Sequence, residues 1–222
     1  MKDVLDLNLQ LFLRNLLPEH TDLEREMIAY AEENHVSIVE PEVGYLLNFM
    51  VRLLQPKAVL EIGTAIGFST IQMAKALPED GKLTTIELLS GRHELAQENF
   101  KKAGVADKID AVLGDAREII PQLSESYDLI FWDAAKGQYP DFLVAAEKHL
   151  KPNGLLIADN VLINGWVVNL DYPERRKKTM VYRMKDFLEH FKTNEKYQCS
   201  VLPLGDGVAL IQKREKDGLN HE

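Results

Sequence analysis

With 222 residues, 45% hydrophobic and 27% charged, the chain has the size and composition of one soluble α/β domain with a modest extension. A net charge of −9 argues mildly against nucleic acid as a partner of the whole surface, although local charge decides such contacts. No apolar run approaches the ~20 residues that cross a bilayer, the N-terminal MKDVLDLNLQLFLRNLL lacks the basic start and cleavage site of a signal peptide, and a single cysteine, Cys199, excludes an intramolecular disulfide and fits a reducing cytoplasm.

The first 55 residues predict three helices. Leu5, Leu9, Leu13, Leu16 and Leu17 recur at helical spacing until Pro18 stops the run. Thr21 with Glu24 has capping-box spacing and opens a second helix that runs to about Asn34. After a break at 37–41, Val43, Leu46, Leu47, Met50, Val51 and Leu54 mark a third. No linker follows, so these helices form an N-terminal cap on the same domain, which spans 1–222.

From Lys57 strands and helices alternate. Strands fit 57–62, 82–87, 109–113, 127–132 and 154–159, and helices fit 67–77, 90–103, 116–123, 139–150 and 174–192. Such alternation implies a doubly wound parallel sheet with right-handed crossovers. Near the C-terminus 197–202 and 207–212 read as an antiparallel hairpin across Pro203-Leu204-Gly205-Asp206, which makes the sheet mixed and seven-stranded.

Four of the strands end on carboxylates: Glu61, Glu87, Asp133 and Asp159. In an open parallel sheet the ligand crevice lies beyond the carboxyl ends of the strands, so these acids are expected to converge on one pocket. Glu61 opens a strand–turn–helix passage, EIGTAIGFS, in which Gly63 and Gly67 permit a tight turn and a close ligand approach. Its G-x-x-x-G spacing departs from the G-x-G-x-x-G dinucleotide fingerprint, and Glu61 and Asp115 would repel phosphates while accepting bonds from amino groups. The expected ligand therefore lacks phosphate. Glu87, at the end of the second strand, has the place of an acid that accepts ribose hydroxyls.

Asp133, Asp159 and Asn160 offer three oxygen ligands from neighbouring strand ends, suited to a hard octahedral cation such as Mg²⁺ or Mn²⁺, and no Cys/His cluster favours zinc. Asp159-Asn160 also suits a plain turn. The segment 164–173 follows directly and can cover an acceptor, with Trp166 as a stacking surface. Then comes a basic stretch, Arg175, Arg176, Lys177 and Lys178, continued by Arg183 and Lys185 on the same predicted helix. Basic residues at a helix N-terminus oppose the macrodipole. Phosphate contacts that position an RNA acceptor are one reading of them, a solvated helix start the other.

EIGTAIGFS, the Glu87 strand end, GDA at 114–116, DAAK at 133–136 and DN at 159–160 together resemble the cation-dependent S-adenosylmethionine O-methyltransferases, the family of catechol and caffeoyl-CoA O-methyltransferases. The resemblance covers the chain from about Ser37 to the final hairpin and implies the Rossmann-like class I methyltransferase fold. It further implies that the methionine part of the cofactor lies near Glu61, Gly63 and Ser69, that Glu87 takes the ribose, and that Asp115 and Ala116 bracket the adenine. Val39 stands where the family touches the cofactor; the usual small polar residue is missing, so only a backbone contact carries over. Asp133 is implied in the cofactor, cation and catalytic sets alike, and Lys136 as the base. Short N-terminal helices, FWDAAKGQYP, IADNVLINGWV and the PERR stretch resemble, within the family, the bacterial tRNA 5-hydroxyuridine methyltransferases. That implies transfer to 5-hydroxyuridine at the tRNA wobble position, giving 5-methoxyuridine. The alternatives are a small-molecule catechol or hydroxycinnamoyl-CoA acceptor and, from another class, a non-catalytic cofactor-binding subunit. The family also implies a homodimer, for which the apolar faces of the N-terminal helices are available.

Overall fold

A computed structural model describes residues 7–133, 147–168 and 175–215. Its N-terminal cap comprises α1 (Leu7–Asn15), α2 (Asp22–Glu33) and α3 (Pro41–Leu54). The Thr21–Glu24 capping box forms: Glu24 N donates to the Thr21 hydroxyl, and Thr21 N donates to the Glu24 carboxylate at 2.9 Å. Pro41 sits in the first turn of α3, where its missing N–H costs nothing, and Gln55 ends the helix with a left-handed φ of 47°. The Asn48 amide then ties α3 to the next helix by donating to Gln72 O at 2.7 Å.

The alternating part contains β1 (Ala58–Ile62), α4 (Phe68–Ala74), β2 (Lys82–Glu87), α5 (Ser90–Lys102), β3 (Ile109–Leu113), α6 (Ala116–Ile119), β4 (Tyr127–Trp132), β5 (Leu150–Ala158), α7 (Arg175–Thr193), β6 (Tyr197–Leu202) and β7 (Val208–Lys213). The expected helix over 116–123 is a single α turn continued by a 3₁₀ turn at Ile120–Gln122, because Pro121 cannot donate within a longer helix. Most of the expected helix at 139–150 lies outside the described residues.

All seven strands form one sheet in the order β3-β2-β1-β4-β5-β7-β6. The first five are parallel, whereas β7 runs antiparallel to both β5 and β6. Burial explains the order of the last two: Val208, Ala209 and Ile211 are buried in β7, whereas edge strand β6 buries Tyr197 and alternates toward solvent. One core lies between the sheet and the face formed by α2, α3, α4 and α5. On the other face Val181, Met184, Phe187 and Phe191 of α7 pack at helical spacing against Trp132, Leu156 and Ile211. Two covered faces leave the carboxyl ends of the parallel strands as the place for a site.

Candidate active site at the strand ends

Register brings the acids together. Ile62 of β1 is level with Trp132 of β4, and Trp132 is level with Ala158 of β5. Asp133 and Asp159 are thus the next residues on neighbouring strands, about one strand spacing (~4.8 Å) apart in backbone. Asp133 N donates to Ile62 O and Asp159 N to Trp132 O, each at 3.0 Å, so both leave the sheet still hydrogen-bonded to it. Asp159 is buried at 2% exposure. Asn160 follows with φ 59°, and its N–H closes onto the Asp159 carboxylate at 2.7 Å. Among the described residues no three His, Cys, Asp or Glu cluster as a metal site. A cation here would therefore rest on two carboxylates and the Asn160 amide, an all-oxygen set that fits a hard ion keeping several waters. Lys136 lies outside the described residues.

The glycine turn sits beside them. Gly63 N and Thr64 N both reach Ile86 O of β2, and Gly67 N closes on Thr64 O at 2.8 Å. Gly67 needs to be glycine twice over: its φ is 90°, and a Cβ would lie 2.5 Å from the Phe100 ring. Glu87 braces this turn, its carboxylate accepting Ala65 N at 2.8 Å and Leu89 N at 2.9 Å. Ala65 is held at φ 48° by that bond, an uncommon conformation for a residue with a Cβ. The expected ribose acceptor is thus also a structural brace, and sequence spacing carried no sign of this second task.

Glu61 departs from the expected picture. It lies inside β1, not at its end, and is fully buried. Its carboxylate accepts the hydroxyls of Ser69 at 2.5 Å, Thr85 at 2.6 Å and Thr70, while Thr64 and Thr85 pair at 2.5 Å. Burial pushes the Glu61 carboxyl up to about 7 against the pull of these hydroxyls, and the nearby Glu87 charge adds to the rise. Glu61 and Ser69 therefore belong to one buried cluster under the turn, joining β1, β2 and α4.

Asp115 is likewise engaged. It caps α6 by accepting Arg117 N at 2.8 Å and pairs with the Arg117 guanidinium, which holds its carboxyl below the usual range. The Asp115 side chain is thus committed to Arg117 and to the start of α6. Val39 is buried at 4% exposure in the core under α3, so that position has only its backbone to offer. Trp166 is half-buried and packs against the β5–α7 core, leaving only part of its ring for stacking. The basic stretch opens α7 at Arg175, Arg176 and Lys177, and Lys178 is exposed with its ammonium 5.7 Å above the Tyr182 ring.

A buried anchor on the cap escaped the sequence reading. Glu24 is 5% exposed and receives Gln72 at 2.7 Å and Lys75 at 3.0 Å, clamping α2 onto the helix that leaves the glycine turn. Burial alone would raise its carboxyl, but the Thr21 N–H and the Lys75 and Gln72 side chains hold it down at about 2. The signal in sequence is an acid at the third helical position whose partners, Gln72 and Lys75, lie three apart on a distant helix.

Among the described residues no helix is long and apolar enough to cross a membrane. A family profile described as O-methyltransferase matches residues 19–214. The chain is 38% identical over 181 residues to the catechol O-methyltransferase of Niastella koreensis, covering 78% of this chain and 80% of that one. It is 34% identical over 205 residues to caffeoyl-CoA O-methyltransferase 1 of Eucalyptus globulus, covering 88% and 82%. In fold it matches the O-methyltransferase TomG of Streptomyces achromogenes, solved in complex with SAM, with a TM-score of 0.82 at 28% identity over 94% of this chain and 96% of that one. A putative caffeoyl-CoA O-methyltransferase from Staphylococcus aureus gives a TM-score of 0.84 at 31% identity, with 94% and 100% covered. The strand-end acids, the braced glycine turn and these likenesses lead to one conclusion: the chain belongs to the O-methyltransferase family.

Proposed function

We propose that the protein moves the methyl group of S-adenosylmethionine to one oxygen of a vicinal oxygen pair, with Mg²⁺ or Mn²⁺ held by Asp133, Asp159 and Asn160. The observation that carries this reading is the adjacency of Asp133 and Asp159 just past the ends of β4 and β5, near the turn that Glu87 braces. A bound cation supplies a lowered pKa to a coordinated hydroxyl and fixes its direction. The chain's own residues do the rest. Glu87 and the Gly63–Gly67 turn hold the nucleoside end, Asp133 and Asp159 provide the negative charge that binds a cation, and Lys136 takes the hydroxyl proton as the base implied by the resemblance. Positioning and fixed charge account for the rate, with no covalent enzyme intermediate.

For the acceptor, the relatives support a small catechol or hydroxycinnamoyl-CoA molecule. A second reading, 5-hydroxyuridine of the tRNA wobble position, is favoured by Arg175, Arg176, Lys177 and Lys178 at the start of α7, where helix stability alone does not favour cations. The 5-hydroxyl and O4 of that base would present the same oxygen pair as a catechol, and an unpaired anticodon base can be splayed out and stacked. A non-catalytic cofactor-binding subunit has no use for Asp133, Lys136, Asp159 and Asn160 together. The apolar side chains exposed on α1, just past its end and on α3, Leu11, Phe12, Leu16, Phe49 and Leu53, support a homodimer through the cap.

One experiment separates these readings. Protein and labelled cofactor are incubated with a catechol and hydroxycinnamoyl-CoA panel and, separately, with undermethylated tRNA, with and without EDTA. Label in the small molecules alone supports the first acceptor class, and label in tRNA alone supports the second. Asp159→Ala should lose transfer in either case while still binding cofactor, and full turnover in chelator would remove the cation from the reaction.

A further inference from the structure

The turn that leaves the proposed cation ligands is gripped from the far side of β5 by the loop between β6 and β7. Val161 N donates to Gly207 O and Leu162 N to Asp206 O, each at 2.9 Å, and Asn164 N donates to the Asp206 carboxylate. The gripped backbone is not one these residues adopt readily. Asn160, Ile163 and Asn164 have φ values of 59°, 47° and 54°, and for a β-branched residue such as Ile163 that is a true outlier. Left-handed residues of this kind persist only where their surroundings over-determine them. The fit is close as well: Gly207 has φ 91°, and a Cβ there would stand 2.3 Å from Leu162 Cγ. On its other side the same loop leans on the start of α3, where a Cβ at Gly205 would meet Val43 at 3.1 Å and Glu40 at 3.6 Å.

We propose that Asp206 is a positioning residue for the cation site: by holding Asn164 N on its carboxylate and Leu162 N on its carbonyl, it fixes the turn that aims the Asn160 amide. This rests on the reading of Asp133, Asp159 and Asn160 as cation ligands. A carboxylate that accepts a backbone N–H makes a charge-assisted bond, stronger than a neutral one. With Val161, Leu162 and Asn164 all tied to two adjacent residues, the turn cannot relax toward negative φ without breaking several bonds at once. Without the Asp206 side chain the backbone ties at Val161 and Leu162 remain, but the left-handed run loses its outer tie at Asn164 and the Asn160 oxygen is held less firmly. Partners that orient metal ligands in this way typically govern affinity by 10–100-fold.

The test is Mn²⁺ titration of the cofactor-free protein, followed by electron paramagnetic resonance, with S-adenosylhomocysteine affinity measured by calorimetry on the same samples. Wild type should take up Mn²⁺ and Asp159→Ala should not. Asp206→Ala should bind Mn²⁺ about tenfold more weakly with unchanged S-adenosylhomocysteine affinity, and Asp206→Asn, which keeps an acceptor oxygen for Asn164 N, should recover most of the loss. Mn²⁺ affinity in Asp206→Ala equal to wild type overturns the positioning role while leaving the cation reading intact. Equal losses in the Asn and Ala variants also overturn it, since charge and not the grip would then be at work. If Asp206→Ala does not fold, Asp206→Leu, which fills similar space without an acceptor for Asn164 N, takes its place with the same two outcomes. No Mn²⁺ uptake by wild type sinks the cation reading and the proposal with it.

Discussion

Replacing Glu87 by alanine tests the proposed cofactor site most directly, because its carboxylate braces the glycine turn and, in the proposed reading, also takes the ribose, and the two costs separate. Toward the ribose it offers charge-assisted bonds worth roughly 1.5–3 kcal/mol each. Losing two such bonds would weaken binding by at least about 100-fold, and water entering the vacated space reduces this to a floor of about tenfold. Toward the protein it holds Ala65 N at 2.8 Å and Leu89 N at 2.9 Å. Leu89 N lies at the start of α5 in a part-buried bond. Ala65, at φ 48°, depends on the bond to stay where it is. The turn and the ribose therefore both contribute to the loss, and a double-mutant cycle with 2′-deoxy-S-adenosylhomocysteine apportions it. Calorimetry should give a large penalty for the deoxy ligand in wild type and almost none in Glu87→Ala. Independent, additive penalties would place the ribose hydroxyl elsewhere and leave Glu87 as a brace only. Unchanged affinity in Glu87→Ala would refute the ribose contact and show that the turn keeps its shape without the brace.

Neutralising Arg175, Arg176, Lys177 and Lys178 should flatten the salt dependence of tRNA methylation, since each released counterion contributes to the slope, and should leave cofactor binding alone; wild-type rates in the variant across a salt series would show the stretch to be surface only. Glu24→Gln should destabilise the fold at neutral pH. A folded value of about 2 against an ordinary 4.5 is worth roughly 3 kcal/mol above pH 4.5, shrinking to roughly 2 kcal/mol by pH 3.5 as protons reach the unfolded chain first. Denaturant curves at pH 7 and 3.5 check the sign, and a gap between wild type and variant that widens in acid would contradict it. If the cap carries the proposed homodimer, Phe12→Glu with Leu53→Glu, both at exposed apolar positions, should halve the mass seen in light scattering; a dimeric mass unchanged by the pair would move the contact off these helices.

The parallel sheet was legible because buried strands are short apolar runs stopped by polar residues, and the glycine turn because Gly63 and Gly67 tolerate backbone that others avoid. The place of Glu61 was not. The expected strand 57–62 ends at Ile62 as β1 does, but nothing local tells which groups will meet the penultimate side chain on its face of the sheet. The hydroxyls of Thr70 and Thr85 come from α4 and β2, and no local pattern announces that they meet. The Thr21–Glu24 capping box was visible because both partners are local, whereas the bond from Gln72 crosses 48 positions. The β6–β7 hairpin could be read from two β-rich runs about a turn, yet its insertion with β7 inward is decided by which strand can bury both faces.

Three acids at one end of a sheet can do three different things because their surroundings differ. Glu61 has no route to solvent and meets only hydroxyls, so its negative charge is costly and its proton is held to near neutrality. That group contributes stability below about pH 4.5, its ordinary value, and the contribution is lost as pH rises toward about 7. Glu87 accepts backbone N–H groups from two loops and so shapes a turn. Asp159 leaves the sheet with its own carboxylate already closed over by Asn160 N, which fixes its direction before any ligand arrives. Acidic strand ends thus predict where a site lies, and the donors that reach each carboxylate decide which acid supports the fold and which is left to act on a ligand.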